Sequence, residues 1–179
     1  GWHLEETRTT YWPGDPAFVD IPDDVVDAWR ESLDGEALMP YAKNGKPTGI
    51  TVRALTHREI MRARALTARG LDGDTIEAMF DAYAYLFRVG VDFDIPPTFT
   101  DGAGVVHKRH VVDGGIRMLT DQFTLSIDRA YPGIVMTLGS HLMRANMLTG
   151  AEKKASSPQS TEAPSSETVA AAVNTESQG

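Results

Sequence analysis

The segment HKRH at residues 107–110, followed by Asp113, comes nearest in residue type to a metal site. On a helix, the imidazoles of His107 and His110 would share one face, and the carboxylate could complete the ligand set of a zinc ion. The valine pairs on both sides of the segment favour a strand instead, and on a strand residues three apart point to opposite faces. We therefore expect an exposed, charged strand here and no metal site.

Two acidic groups, DGD at residues 72–74 and DFD at residues 92–94, are typical of the start of a loop that binds Ca²⁺ or Mg²⁺. Neither continues into the alternating carboxylates and closing glutamate that such a loop needs, and helix capping explains the first. The chain also lacks the glycine pattern of a phosphate-binding P-loop, the G-x-S-x-G turn of a serine hydrolase, and any cysteine. We expect no enzymatic activity, no metal and no cofactor.

The charged residues are segregated along the chain, whose formal net charge is −8. Residues 14–36 contain eight acids and one base, whereas residues 43–69 contain seven bases and one acid. In the second stretch, Arg58, Arg62 and Arg69 fall on one helix face. This arginine stripe could bind an acidic partner or nucleic acid, face the acidic stretch within one molecule or across a dimer, or be solvated. The acidic balance and the lack of interleaved aromatic residues argue against nucleic acid.

Hydrophobic spacing and capping signals predict five helices that position these residues. Two of them begin at capping boxes, Thr56 with Glu59 and Asp74 with Glu77, in which two side chains satisfy amides of the first helical turn. The third helix carries apolar residues on nearly two faces, which predicts a central position. The predicted helices cover residues 22–33, 57–69, 74–90, 116–130 and 132–148.

One or two small β-hairpins complete the predicted domain. Residues 37–42 and 49–55 are predicted strands around the Asn-Gly pair at 44–45, which favours a tight turn. Residues 91–112 are predicted to be a long loop with a short hairpin at its tip. The expected fold is mainly α, of the α+β class, with about five helices packed as an irregular bundle over residues 21–155.

Both ends of the chain differ from this domain. Residues 1–20 carry four aromatic residues among glycine and prolines, which predicts an extended arm that docks on the body or on a neighbouring copy. Residues 156–179 lack aromatic, leucine, isoleucine and basic residues, so we expect a disordered tail. No segment approaches the roughly 18 apolar residues that span a bilayer, and no signal peptide is visible.

Three local patterns resemble the small phage tail assembly chaperones. Residues 51–59 (TVRALTHRE) resemble the strand-to-helix opening of that family, and residues 84–91 (AYLFRVGV) resemble the end of its central helix. Residues 148–156 (LTGAEKKAS) resemble the close that precedes a Ser/Pro-rich tail. The resemblance implies a non-enzymatic protein of the host cytoplasm that binds the tape measure protein and keeps its long hydrophobic helices soluble.

A protein with that role needs a surface for partner helices, and flexible methionine side chains suit such a surface. Four methionines fall in the last two predicted helices, where the alternative is ordinary core filling. The candidate partner-binding residues are Arg58, Arg62, Arg69, Met136, Met143 and Met147.

Two other functions are weighed beside the chaperone. The chain could be a virion structural protein, such as a tail or head-tail connector subunit, whose aromatic arm clasps a neighbour in a homo-oligomer. It could also be a nucleic-acid-binding regulator that uses the arginine stripe, the least favoured of the three.

Overall fold

A computed structural model describes residues 7–68 and 75–155 of the chain; for Thr75 and residues 147–155 it describes the backbone alone. The helices in these residues are α1 (Asp23–Ser32), a 3-10 helix (Gly35–Tyr41), α2 (His57–Ala68), α3 (Thr75–Gly90), α4 (Asp121–Ala130) and α5 (Ile134–Ala155). The strands are β1 (Thr7–Thr10), β2 (Ile50–Arg53), β3 (Val91–Phe93), β4 (Thr98–Thr100), β5 (Val106–Lys108), β6 (His110–Asp113) and β7 (Ile116–Leu119). The described part is therefore mixed α+β and not purely helical, which confirms the α+β class.

Three strands form the main sheet in the order β1-β2-β3, and both pairs are antiparallel. β2 is central, with Ile50 opposite Thr10 on one side and opposite Phe93 on the other. Along β2, Ile50 and Val52 are buried while the alternate residues, Arg53 among them, are half-buried. This alternation is that of a strand with one face on the core, so Arg53 points away from the core.

The hairpin predicted from residues 37–42 and 49–55 is not formed. Most of the first segment belongs to the 3-10 helix, which the side chain of Asp34 caps and which buries Leu38 completely. The second segment supplies β2, whose partners come from the arm and from the chain after α3. The prediction was wrong because an Asn-Gly pair indicates a turn, and Gly45 does have a φ of +107°, but it does not specify which strands pair.

The hydrophobic core lies between this sheet and α1, α3 and α5. Trp29 from α1, Phe87 from α3 and Leu138 from α5 are all buried in it. α3 and α5 approach closely at Gly139, where a side chain would overlap the backbone carbonyl of Tyr83. α3 also contacts α2, β3 and β7, so it occupies the central position predicted for it.

α2 begins at the predicted capping box. The amide of Thr56 donates to Glu59 Oε1 at 2.8 Å, and the amide of Glu59 donates to Thr56 Oγ1 at 3.3 Å. Each side chain thus satisfies an amide that has no partner within the helix. The predicted end of this helix at Arg69 and the second capping residue, Asp74, lie outside the described residues.

The helix predicted over residues 116–130 is wrong in its first turn. Ile116–Leu119 form β7, which pairs with β6, and Gly114 and Gly115 join the two strands with φ values of +59° and +80°. Positive φ at both central residues defines the type I′ turn, which suits a tight hairpin. α4 begins only after Thr120, whose hydroxyl caps it.

The segment at residues 91–112, predicted as a long loop, does contain a hairpin at its tip. β4 and β5 pair there, and Asp101 accepts hydrogen bonds from the amides of Ala103 and Val105 in the turn. The segment also contains β3 and most of β6, so it holds more strand than predicted. The HKRH segment is divided between β5 and β6 with Arg109 buried between them, so the single exposed strand predicted there is wrong.

The N-terminal arm is held against the body by β1 and by aromatic and polar contacts. Trp12 meets Trp29 edge to face, with ring centroids 5.6 Å apart. Trp29 Nε1 donates to the hydroxyl of Thr10 at 2.8 Å. The buried carboxylate of Asp15 accepts a hydrogen bond from the hydroxyl of Tyr131 at 2.6 Å. The described aromatic residues of the arm therefore dock within one chain.

The last helix, Ile134–Ala155, extends beyond the end predicted at residue 148. Met143 is the last residue of one compact unit of the chain, and the described part of the second unit is the remainder of α5. None of the helices in the described part of the chain is both long and apolar enough to span a bilayer. The tail at residues 156–179, predicted to be disordered, and Trp2 of the arm lie outside the described residues.

Candidate functional site

A cleft of about 410 Å³ lies between the C-terminal end of α3, the N-terminal end of α2 and the β6–β7 hairpin, and β2 and β3 also line it. Its lining is rich in arginine, and we call it the arginine cleft. The charged and titratable side chains of its lining are Arg53, Arg58, Glu59, Arg88, Asp92, His110 and Arg117. Four arginines thus accompany two carboxylates, in a chain whose net charge is −8.

Glu59 is 4% exposed, and its carboxylate accepts several hydrogen bonds. Arg53 donates to it from Nη1 at 3.0 Å and from Nη2 at 2.6 Å, in addition to the capping bond from Thr56. Burial alone would raise the pKa of Glu59, but the bonds from Arg53 and Thr56 outweigh burial and hold the pKa below its ordinary value. Arg53 also donates to the carbonyl oxygen of Val89 at 2.6 Å, which fixes the guanidinium against the end of α3.

Asp92 and His110 form a second polar group in the cleft. His110 Nε2 lies 3.0 Å from Asp92 Oδ1, and Arg117 Nη2 lies 3.0 Å from His110 Nδ1. Because a guanidinium can only donate, Nδ1 accepts, and the ring is neutral with its proton on Nε2. Burial lowers the pKa of His110; Asp92 partly opposes this, Arg117 adds to it, and the pKa stays below its ordinary value.

The other two arginines of the cleft differ in how they are held. Arg88 donates from Nε to the carbonyl oxygen of Leu119 at 2.8 Å and pairs with the exposed carboxylate of Asp121 at 3.0 Å. Arg58 is exposed, and its guanidinium lies beside Gly115 at the turn of the β6–β7 hairpin. Within the described residues it makes no hydrogen bond or ion pair through its side chain. Arg58 is therefore an uncommitted cation among the described residues of the cleft.

The predicted arginine stripe divides between the cleft and its surroundings. Arg58 and Arg62 both lie beside the two-glycine turn of the β6–β7 hairpin, but only Arg58 lines the cleft. Arg62 lies next to Tyr85, and its Nη1 and the tyrosine hydroxyl are both buried. Burial raises the pKa of Tyr85, and the charge of Arg62 only partly offsets this. Arg69 lies outside the described residues.

The methionines proposed for partner binding lie on α5, away in sequence from the arginines of α2. Met136 and Met143 are half-buried and pack against the hydrophobic core. Met147 belongs to the same helix, but its side chain lies outside the described residues. At least part of the surface of Met136 and Met143 is therefore engaged within the chain.

The adjacent helices α2 and α3 expose large apolar side chains. Ile76 and Phe80 on α3 are 69% and 50% exposed, and Met61 on α2 is 47% exposed. Residues four apart on a helix share a face, so Ile76 and Phe80 form one apolar patch. We refer to Met61, Ile76 and Phe80 as the α2–α3 apolar residues.

Sequence spacing missed most residues of the arginine cleft. Arg53, Arg88 and Arg117 come from three separate elements, and no motif links them. The Gly-Gly pair at residues 114–115 was the local signal for the hairpin that closes one side. Within the described residues, no three His, Cys, Asp or Glu side chains lie close enough together to hold a metal ion.

No protein family, no curated protein and no solved structure matches this chain.

Proposed function

We propose that this chain is a non-enzymatic phage tail assembly chaperone that binds the tape measure protein in the host cytoplasm during tail assembly. Three segments of the sequence resemble that family. Two of these segments are the β2–α2 connection and the end of α3, and the third lies at the end of α5 and just beyond. The proposal thus links the resemblance to α2 and α3, the helices of the α2–α3 apolar residues.

The observation that carries the proposal is the exposure of the α2–α3 apolar residues. Single exposed apolar residues are normal on any protein. Phe80 and Ile76, however, are one helical turn apart, and Met61 lies on the adjacent helix. An amphipathic partner helix buries its apolar face against a surface of this kind. The long helices of a tape measure protein would supply such a face before the tail tube forms around them.

Co-expression with the large coiled-coil protein of the same phage tests this proposal. We expect the chain to raise the soluble fraction of that protein and to elute with it on gel filtration. Phe80→Ser should weaken the complex, because it removes a half-exposed aromatic side chain from the patch. Leu125→Ser on α4 is the matched control, since Leu125 is also exposed (62%) but lies on another helix. Circular dichroism should show that both variants keep their helical content.

Two results would contradict the proposal. The first is an unchanged soluble fraction together with no complex on gel filtration. The second is the presence of this chain in purified virions at a stoichiometric level by mass spectrometry. An assembly chaperone is absent from the finished particle, whereas a tail or connector subunit is retained, so the second result would favour the virion structural protein.

A further inference from the structure

The arginine cleft carries more positive charge than its own carboxylates neutralise, and we propose that it binds the phosphate group of a small phosphomonoester or of inorganic phosphate. This inference does not depend on the proposed chaperone function, because it rests on other residues. The cleft differs from the predicted arginine stripe in its composition. It combines Arg58 with Arg53, Arg88 and Arg117, which come from β2, α3 and β7.

The two carboxylates of the cleft are already engaged. Glu59 is bound by two nitrogens of Arg53, and Asp92 faces His110 and the buried Arg109. Arg117, whose side chain is 63% exposed, donates to His110 Nδ1 and lies 3.8 Å from Asp92, and these two contacts leave its other donors available. His110 is neutral, so it adds no charge. The positive charge left over suits an anion with more than one negative charge.

The N-terminal end of α2 adds a backbone donor at the same cleft. Thr56 and Glu59 cap the helix through each other's amides, and both line the cleft together with Arg58. The capping box leaves the amide of Arg58, a residue of the cleft lining, without a partner among the described residues. Free amides at a helix N-terminus, combined with arginine side chains, are a recurring arrangement for binding phosphate. Here the helix, the cavity and the arginine cluster coincide.

The size and lining of the cleft favour a small ligand over a nucleic acid strand. Its volume of about 410 Å³ is within the range of small-molecule sites and leaves room for an organic group beside the phosphate. Among the described residues that line it there is no phenylalanine, tyrosine or tryptophan, the side chains that usually stack on the bases of a single strand. The flanking apolar lining comes from Val89, Val91, Ile116 and Met118.

Calorimetric titration and thermal melting test the inference. Inorganic phosphate, glycerol phosphate and a single-stranded oligonucleotide are added in turn to the full chain at constant ionic strength, with sodium chloride as the reference. We expect phosphate or glycerol phosphate to bind with one site and to raise the melting temperature. Tighter binding of glycerol phosphate would identify a phosphomonoester as the ligand class, and equal binding would identify phosphate itself.

Arg58→Ala should raise the dissociation constant about tenfold or more, because it removes a charge-assisted hydrogen bond. Arg58 makes no contact that the fold needs within the described residues, so the variant is expected to fold normally. Arg30→Ala, at an exposed position on α1, makes the same change in net charge and should leave binding unchanged. Equal losses in both variants would overturn the inference. So would the absence of binding by both phosphates, or binding of the oligonucleotide alone.

Discussion

Replacing Glu59 with alanine is expected to lower the free energy of unfolding by about 3 kcal/mol. Glu59 is 4% exposed, and its carboxylate accepts three hydrogen bonds, two from Arg53 and one from the amide of Thr56. Loss of the capping bond alone costs about 1 kcal/mol. The ion pair adds about 2 kcal/mol, less than a fully buried pair would, because the side chain of Arg53 is 33% exposed and water can reach it.

Urea denaturation followed by circular dichroism at neutral pH measures this change. Glu31→Ala on the exposed side of α1 is the matched control and should stay within about 0.5 kcal/mol of the wild type. Glu59→Gln keeps an oxygen for the amide of Thr56 but loses the charge, so its loss should lie between those two values. A loss below about 1 kcal/mol for Glu59→Ala would refute the reasoning, because the cap alone accounts for that much.

The pH dependence provides a second check on the same residue. The pKa of Glu59 is lower in the folded chain than in the unfolded one, because the bonds from Arg53 and Thr56 outweigh burial. The stability that this carboxylate contributes is therefore complete above its unfolded pKa of about 4.3 and is lost as the pH falls through the lower, folded value. The difference between wild type and Glu59→Ala should shrink in that acidic range and stay constant from pH 6 to 8.

Three further predictions concern the pH response and the packing. His110, whose pKa burial lowers, should titrate below about 6.5 by NMR, and its contribution should destabilise the fold as the pH falls below that value. Gly139→Ala should cost about 1–3 kcal/mol in thermal melts, because the methyl group would overlap a backbone carbonyl of α3, whereas Gly102→Ala, at an open turn, should change little. Tyr131→Phe should cost about 1–3 kcal/mol by urea denaturation, because it removes a hydrogen bond from the buried carboxylate of Asp15.

The parts of the fold that local signals determine could be predicted from the sequence. The capping box of Thr56 and Glu59 gave the start of α2, because both partners lie within one helical turn. The apolar spacing of residues 22–33 likewise gave α1, which spans Asp23–Ser32. In each case the residues that decide the structure are neighbours in the chain.

The parts that depend on distant partners could not be predicted in the same way. β2 is central because β1 and β3 pair with it, and no local pattern within residues 49–55 indicates which strands will be its partners. Ile116–Leu119 have apolar residues that fit a helix as well as a strand, and the Gly-Gly turn before them decides for the strand. Asp15 is a further example, because its bond to Tyr131 joins residues that are 116 positions apart in the sequence.

The candidate site likewise has a part that local spacing predicts and a part that depends on distant residues. Helical spacing placed Arg58 and Arg62 on one helix face, and both lie beside the two-glycine turn of the β6–β7 hairpin. Their neighbours in space, Arg88 and Arg117, could not be found from spacing, because β-sheet pairing and the α2–α3 contact bring them there. The net charge of −8 gave no indication of this cluster, because a total over the chain does not show where the charged residues lie.

The contacts that hold these arginines leave part of their positive charge available for a ligand. Arg88 is fixed mainly by the neutral carbonyl oxygen of Leu119. Its ion pair with Asp121 is weak, because the side chain of Asp121 is 77% exposed. A guanidinium held by a carbonyl keeps its charge and its remaining donors for a ligand.

The two proposals also rest on different residues, Phe80 for a partner helix and Arg58 for phosphate. If both are correct, Phe80→Ser retains phosphate binding and Arg58→Ala retains the protein complex, and loss of both activities in either variant would show that the two surfaces are not independent.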